Sequence, residues 1–150
     1  MLGGMGFKDV VGNLVGDKPI VLELDMARGV LVARPTNPLQ AIQLINSATL
    51  GALRQHLADA AEDPRVVGLI VHAVPSQTLL AHIEEIAGLV EKFGEKKQTM
   101  AWAESFGELS GGLAAYRLAV AADQIWVQPT GMLSIGGVEL SITLLRGLLE

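Results

Sequence analysis

A serine followed by two glycines, Ser110-Gly111-Gly112, stands directly before an alanine-rich segment of helical composition. The first backbone N–H groups of a helix have no partner within the helix, and the helix dipole is positive at that end. A hydroxyl nucleophile or an oxyanion site suits such a junction. Ser110 is therefore the candidate nucleophile of this chain. The competing interpretation is a polar turn or helix-capping serine, because no general base can be paired with Ser110 from the sequence.

The ionisable residues near this segment offer little chemistry of their own. Lys92, Lys96 and Lys97 lie in a charged helix end and turn, which favours a solvated surface over a buried general base. Glu104 and Glu108 flank the turn before Ser110 and could act as paired carboxylates. In an acidic chain, two glutamates four positions apart more often lie at the surface or cap a helix.

Metal and cofactor sites are not expected. The chain has no cysteine, and its three histidines, His56, His72 and His82, lack ligand-type spacing. We interpret each histidine as a packed or surface residue. No glycine pattern matches a dinucleotide or phosphate-binding fingerprint.

Composition narrows the possible partners. The chain has 150 residues, 50% of them hydrophobic, with a net charge of -5, which predicts one globular unit and no nucleic-acid partner. No apolar run is long enough for a membrane-spanning helix. Residues 1–18 are glycine-rich and weakly apolar, and we interpret them as a flexible arm that could touch a membrane surface.

The order of the predicted elements positions these candidates. Strands alternating with helices predict an α/β domain with a largely parallel sheet. The predicted strands are 19–24, 30–33, 66–74, 99–104, 124–128 and 132–139. The predicted helices are 49–62, a segment from Ser76 or Thr78 to about 93, 113–122, and one that starts at 140.

The pattern also predicts a hairpin, an amphipathic helix and a fully buried strand. The first two strands are joined by a turn over 25–29 and predict a hairpin, whereas the prolines of 34–47 predict a loop. Leu50, Leu53, Leu57 and Ala61 recur at helical spacing and predict an amphipathic helix. The nearly continuous apolar run 66–74 predicts a strand that is buried on both faces.

Two blocks of sequence resemble a known family. The first is TLGALRQHLADAAEDPRVVGLIVHAV, and the second runs from Thr99 to Gly131 with Tyr116, LAVAADQIW and P-T-G. In this order and at this separation they resemble the signal peptide peptidase A family of serine peptidases (protease IV, peptidase family S49). The resemblance covers roughly residues 19–150, and it is to the first part of the N-terminal half of the long form.

The resemblance implies a ClpP/crotonase-like fold of repeated ββα units. It also implies a serine nucleophile with a neutral lysine as general base, because a lysine in a dry site loses its charge and can take the hydroxyl proton. Family members form oligomers and cleave residual signal peptides at the membrane of prokaryotic cells.

The family's catalytic residues do not fall on this chain. Ten residues before Asp123, where the family places serine, stands Leu113, so Ser110 is three positions too early. No lysine follows Lys97, and the family's lysine is expected beyond Glu150. The segment after the strand of 66–74 reads Pro75-Ser76-Gln77-Thr78 in place of the family's oxyanion-site glycines.

The sequence thus predicts 19–150 to be part of a signal peptide peptidase-like domain that continues past residue 150. We expect this chain alone to be proteolytically inactive. Two alternatives stay open: a noncatalytic peptide-binding or oligomerisation module of the same fold, and a crotonase-like acyl-CoA enzyme. The missing glycines after Val74 disfavour the second alternative.

Overall fold

The computed structural model describes residues 18–31, 48–74, 78–107, 112–134 and 136. In chain order the strands are β1 (Ile20–Asp25), β2 (Val30–Leu31), β3 (Ala48–Thr49), β4 (Val66–His72), β5 (Gln98–Ala103) and β6 (Gln124–Val127). The helices are α1 (Leu50–Glu62), α2 (Leu80–Gly94) and α3 (Leu113–Ala119), with a short 3-10 helix at Met26–Arg28. The predicted elements at 34–47 and 140–150, and most of the strand predicted at 132–139, lie outside the described residues.

The main sheet contains four parallel strands in the order β1-β4-β5-β6. The prediction of an α/β domain with a largely parallel sheet is confirmed. The predicted hairpin is wrong: β1 pairs with β4, and β2 pairs with β3 in a separate parallel two-stranded sheet. The 3-10 helix, capped by the Asp25 side chain, separates β1 from β2.

The three helices form one layer, since α2 contacts both α1 and α3. Thr49 caps α1 through a hydrogen bond from the Ala52 N–H to its hydroxyl, and Leu50, Leu53 and Leu57 are buried as the periodicity predicts. Helix α2 begins at Leu80 without a side-chain cap, so Thr78 does not cap it. Ser76, the other candidate cap, lies outside the described residues.

One face of the main sheet packs against this helix layer and forms the core. The strand side chains in that core are Leu24, Val66, Leu69, Val71, Ala101 and Ala103. The prediction that the 66–74 segment is buried on both faces is wrong. The side chains of Ile70 and His72 point to the opposite face, and the described helices leave that face uncovered. We call it the open face.

A bulge in β4 sets which residues reach each face. Ile20 pairs with Val66, but the next residue of β1, Val21, pairs with Gly68, so Val67 has no opposite partner. Val67 is 49% exposed, whereas Val66 is fully buried. After the bulge the two strands run in step to Asp25 and His72, which brings these two residues side by side at the carboxyl end of the sheet.

Candidate functional site

Three ionisable side chains meet at the carboxyl ends of three neighbouring strands. Asp25 is the last residue of β1, His72 is the last of β4, and Glu104 directly follows β5. Because parallel strands share one carboxyl edge, the order β1-β4-β5 places these positions next to each other. We call Asp25, His72 and Glu104 the carboxylate–histidine cluster.

Both nitrogens of the histidine ring face a carboxylate. His72 Nδ1 lies 3.0 Å from Asp25 Oδ1, and His72 Nε2 lies 3.1 Å from Glu104 Oε2. Only the imidazolium form can donate to both oxygens at once, since a neutral imidazole carries one N–H. The ring therefore lies between two carboxylates, with each nitrogen within hydrogen-bond distance of one carboxylate oxygen.

The surroundings of the cluster favour ionised carboxylates. Burial works to raise the pKa of Asp25, but the Ala27 N–H, His72 and Arg28 together outweigh it and hold that pKa below 3.8. Hydrogen bonds from the Glu104 backbone N–H and from His72 hold the pKa of the Glu104 carboxyl below 4.5. Burial and the charge of Asp25 act in the opposite direction and raise this pKa, but they are outweighed. Both groups are thus negative at neutral pH.

The cluster continues into a row of aromatic side chains. His72, Trp102 and Trp126 are register partners on β4, β5 and β6, so Asp25-His72-Trp102-Trp126 forms one row across the open face. The His72 and Trp102 rings stack with centroids 4.0 Å apart and planes 6° apart. Trp126 ends the row and is 62% exposed. Trp126 is therefore not part of the buried core of the chain.

The chemical capacity of the cluster is orientation rather than proton transfer. A general base needs a free ring nitrogen, and both nitrogens of His72 are engaged. The side chain is also only 15% exposed. Within the residues that the structure describes, no group of three or more His, Asp or Glu side chains is arranged to hold a metal ion. The cluster instead joins three strand ends and fixes the plane of Trp102.

A tight backbone junction lies beside the cluster. Ser105 Oγ accepts from the Met132 N–H at 2.7 Å and donates to the Met132 carbonyl at 3.0 Å. The Phe106 N–H donates to the same carbonyl, and the Ser134 N–H donates to the Phe106 carbonyl. The Phe106 ring is fully buried, edge-on to Tyr116. The segments before and after α3 and β6 are therefore locked together at the carboxyl edge.

Two glycines allow the junction to close. Gly107 has a φ of +91°, and a Cβ there would lie 2.1 Å from the Ser134 carbonyl oxygen. A Cβ on Gly112 would lie 2.5 Å from the Gly107 nitrogen. Gly107 and Gly112, the residues on either side of segment 108–111, are consequently in contact. Ser110, Gly111 and Glu108 belong to that segment and lie outside the described residues, so neither the nucleophile assignment nor the Glu104–Glu108 pair is tested.

The lysines considered as general bases lie away from this edge. Lys96 binds Glu62, and the Lys97 amine donates to the Asp63 carbonyl at 3.2 Å; both lysines stand just before β5, at the amino end of the sheet. Lys92 is exposed on α2. Across the described part of the chain, no serine hydroxyl is hydrogen-bonded to a lysine amine.

Sequence reasoning missed the carboxylate–histidine cluster because it considered His72 by itself and placed Asp25 in a hairpin turn. The sequence nevertheless contains a pattern that predicts this cluster. Asp25, His72 and Glu104 each end an apolar strand segment, in VLELD, GLIVH and MAWAE. A parallel sheet gathers such strand-end residues at one edge.

No described helix is both long enough and apolar enough to cross a membrane. Comparison of the chain with protein-family models and with curated proteins gives no match.

Proposed function

We propose that this chain is the peptide-binding scaffold of a signal peptide peptidase A-like serine protease, with a ClpP/crotonase-like domain. The observation that carries the proposal is the carboxyl edge of the sheet. There the open face, which the described helices leave uncovered, meets an exposed tryptophan and the junction between Gly107 and Gly112. In open parallel sheets, ligands bind at the carboxyl ends of the strands.

The scaffold contributes binding and orientation rather than the covalent chemistry. Ser105 is a described serine at this edge, and both of its hydrogen bonds go to the Met132 backbone. The Ser/Lys pair belongs to residues outside this chain, in line with the resemblance. Full-length activity is peptide-bond hydrolysis of residual signal peptides by a homo-oligomer at a prokaryotic membrane.

A noncatalytic binding or oligomerisation module of the same fold is the second candidate. It is favoured by the apolar surface around β6, where Ile125, Trp126, Val127, Met132 and Leu133 are all exposed. Clustered apolar surface of this kind marks an interaction site. Both candidates place a peptide or protein segment at the same edge and differ in whether hydrolysis follows in the full-length protein.

The catalytic part of the proposal is tested by active-site labelling of this chain. A fluorophosphonate probe should leave Ser110 unlabelled, and a fluorogenic peptide should not be cleaved, because the sequence offers no general base that can be paired with this serine. Labelling of Ser110 that disappears in Ser110→Ala would show that the chain carries its own nucleophile and would overturn the scaffold assignment.

The binding part is tested by photo-crosslinking. An extended apolar peptide that carries a photoreactive residue should attach near Trp126 and Met132. The control region is the groove between α1 and α2, a cavity of about 220 Å³ lined in part by Leu57, Ala61 and Phe93. Attachment confined to that groove, on the other side of the sheet, would contradict a peptide site at the carboxyl edge.

A further inference from the structure

We propose that the open face recognises a positively charged side chain, Lys or Arg, of an extended peptide, at a site formed by Trp126, Trp102 and Glu104. The inference rests on the proposed peptide-binding function and adds the chemistry of the ligand. Three independent features of the open face lead to it: its exposed aromatic rings, its excess of carboxylates and the edge strand that borders it.

The first feature is the pair of tryptophans. Trp102 and Trp126 are register partners on adjacent strands and point to the same face. Trp126 is 62% exposed. Its indole N–H donates a long hydrogen bond of 3.4 Å to Gln124 Oε1, two residues away on the same strand. Packing does not account for so exposed an indole. The face of a tryptophan is the best aromatic partner for a cation.

The second feature is the charge of the open face. Glu104 follows Trp102 by two residues, so its side chain lies on the same face, and it is 54% exposed. Glu23 and Asp25 add two carboxylates on β1. Arg28 is the cation that binds Asp25, and the His72 ring lies between Asp25 and Glu104.

The helix layer also carries more acids than cations, but its two arginines are paired with acids of the same layer. Arg117 on α3 binds Glu84 and Glu91 of α2, and Arg54 on α1 binds Glu85 of α2. The open face differs in that both tryptophans of the chain lie there beside its carboxylates, so a cation can meet an indole and a carboxylate at one place.

The third feature is the edge strand, which favours a peptide over a free cation. Within the described sheet, β6 pairs with β5 alone, and all four of its residues are exposed. An extended peptide can add to such an edge through main-chain hydrogen bonds. Its alternate side chains would then project onto the open face beside Trp126. From the added strand, a Lys or Arg side chain can lie across the Trp126 indole toward Glu104. Glu104 follows β5, which is two strand spacings, about 10 Å, from the added peptide.

The experiment compares two blocked peptides of equal length that differ only in one central residue, arginine or the uncharged citrulline. Binding to the whole chain is measured by titration calorimetry at low and at 0.3 M salt. The arginine peptide should bind about tenfold more tightly than the citrulline peptide. This preference should shrink at high salt.

Three variants locate the site. Trp126→Leu and Glu104→Gln should each remove most of the preference for arginine, and their exposure keeps the fold intact. Glu95→Gln is the matched control: it removes the same charge from an exposed turn after α2, beside the helix layer, and should leave the preference unchanged. Circular dichroism confirms that each variant is folded.

The results separate the proposed peptide-binding function from the proposed recognition of a cation. Equal affinity for both peptides leaves a peptide-binding scaffold standing and overturns the recognition of a cation. A preference for arginine that survives both Trp126→Leu and Glu104→Gln overturns the site. Failure of both peptides to bind contradicts the peptide-binding function itself, and with it the inference.

Discussion

The two faces of the main sheet are built from alternate residues of the same strands, yet they serve different purposes. On the covered face, small and branched apolar side chains such as Val71 and Ala101 are fully buried beneath the helices. On the open face, the neighbouring positions hold His72 and Trp102, which are only partly buried. The covered face holds the fold together, whereas the open face carries side chains that packing does not require.

Each face also has its own polar cluster. On the covered face the Thr99 hydroxyl and N–H both donate to Asp123 Oδ2, and the Thr99 hydroxyl oxygen accepts from the Asp123 N–H, all at 2.9 Å. Thr99 is nearly fully buried. The carboxylate–histidine cluster on the open face reaches solvent through Glu104. A polar group that is sealed from water must be paired, while an exposed one can exchange its partner for water or a ligand.

The largest expected difference between the faces is in stability. Leu118 is fully buried on α3. The Leu118→Ala variant should lose about 3 kcal/mol of unfolding free energy, because the substitution leaves a cavity that the core cannot refill. Trp126→Ala on the open face should cost less than about 1 kcal/mol, the size of a cross-strand side-chain pair. Urea unfolding measures both values. Similar losses for the two variants would mean that the open face is covered in solution.

The second difference concerns the two polar clusters. Asp123→Ala should cost about 2 kcal/mol, since it leaves the buried Thr99 N–H and hydroxyl without an acceptor. Glu104→Ala should cost less than about 1 kcal/mol, because its bond to His72 is open to water. The same unfolding experiment compares them. A cost for Glu104→Ala as large as that for Asp123→Ala would show that the open-face cluster is structural.

The covered face could be predicted well from the sequence, because its signals are local. Helical spacing marked the buried side of α1, and apolar runs marked β4 and β5 within two residues of their observed ends. The errors came from pairing. The proximity of 19–24 and 30–33 suggested a hairpin, but hydrogen bonding to β4 over six register pairs decides the position of β1. The two-residue strand β3 carries no pattern that could predict it.

The open-face cluster could not be predicted from local patterns. His72 lies 47 residues from Asp25 and 32 from Glu104 along the chain. These residues meet only because β4 lies between β1 and β5, and that strand order is a property of the whole fold. The apolar run 66–74 also gave no sign that one side of β4 is open. Ile70 and Val67 are apolar although they lie on a face that the described helices leave uncovered.

The smallest expected difference appears in acid. Asp25 and Glu104 have folded pKa values below 3.8 and 4.5, so the unfolded chain binds their protons more readily. Their contribution to stability is complete above about pH 5 and is lost as the pH falls through the folded pKa values. His72→Phe keeps a ring against Trp102 but removes both hydrogen bonds. The variant should therefore lose less unfolding free energy between pH 5 and pH 3 than the parent protein does.

The effect should stay below about 1 kcal/mol, because the cluster is partly open to solvent and Asp25 keeps its bonds to Ala27 and Arg28. Urea unfolding at the two pH values measures it. His82→Phe, the same substitution at a partly buried position of α2, is the matched control and should follow the parent protein. If His72→Phe also follows the parent, the histidine does not hold the two carboxylates in their ionised state. The low pKa of Asp25 would then depend on its bonds to the Ala27 N–H and to Arg28.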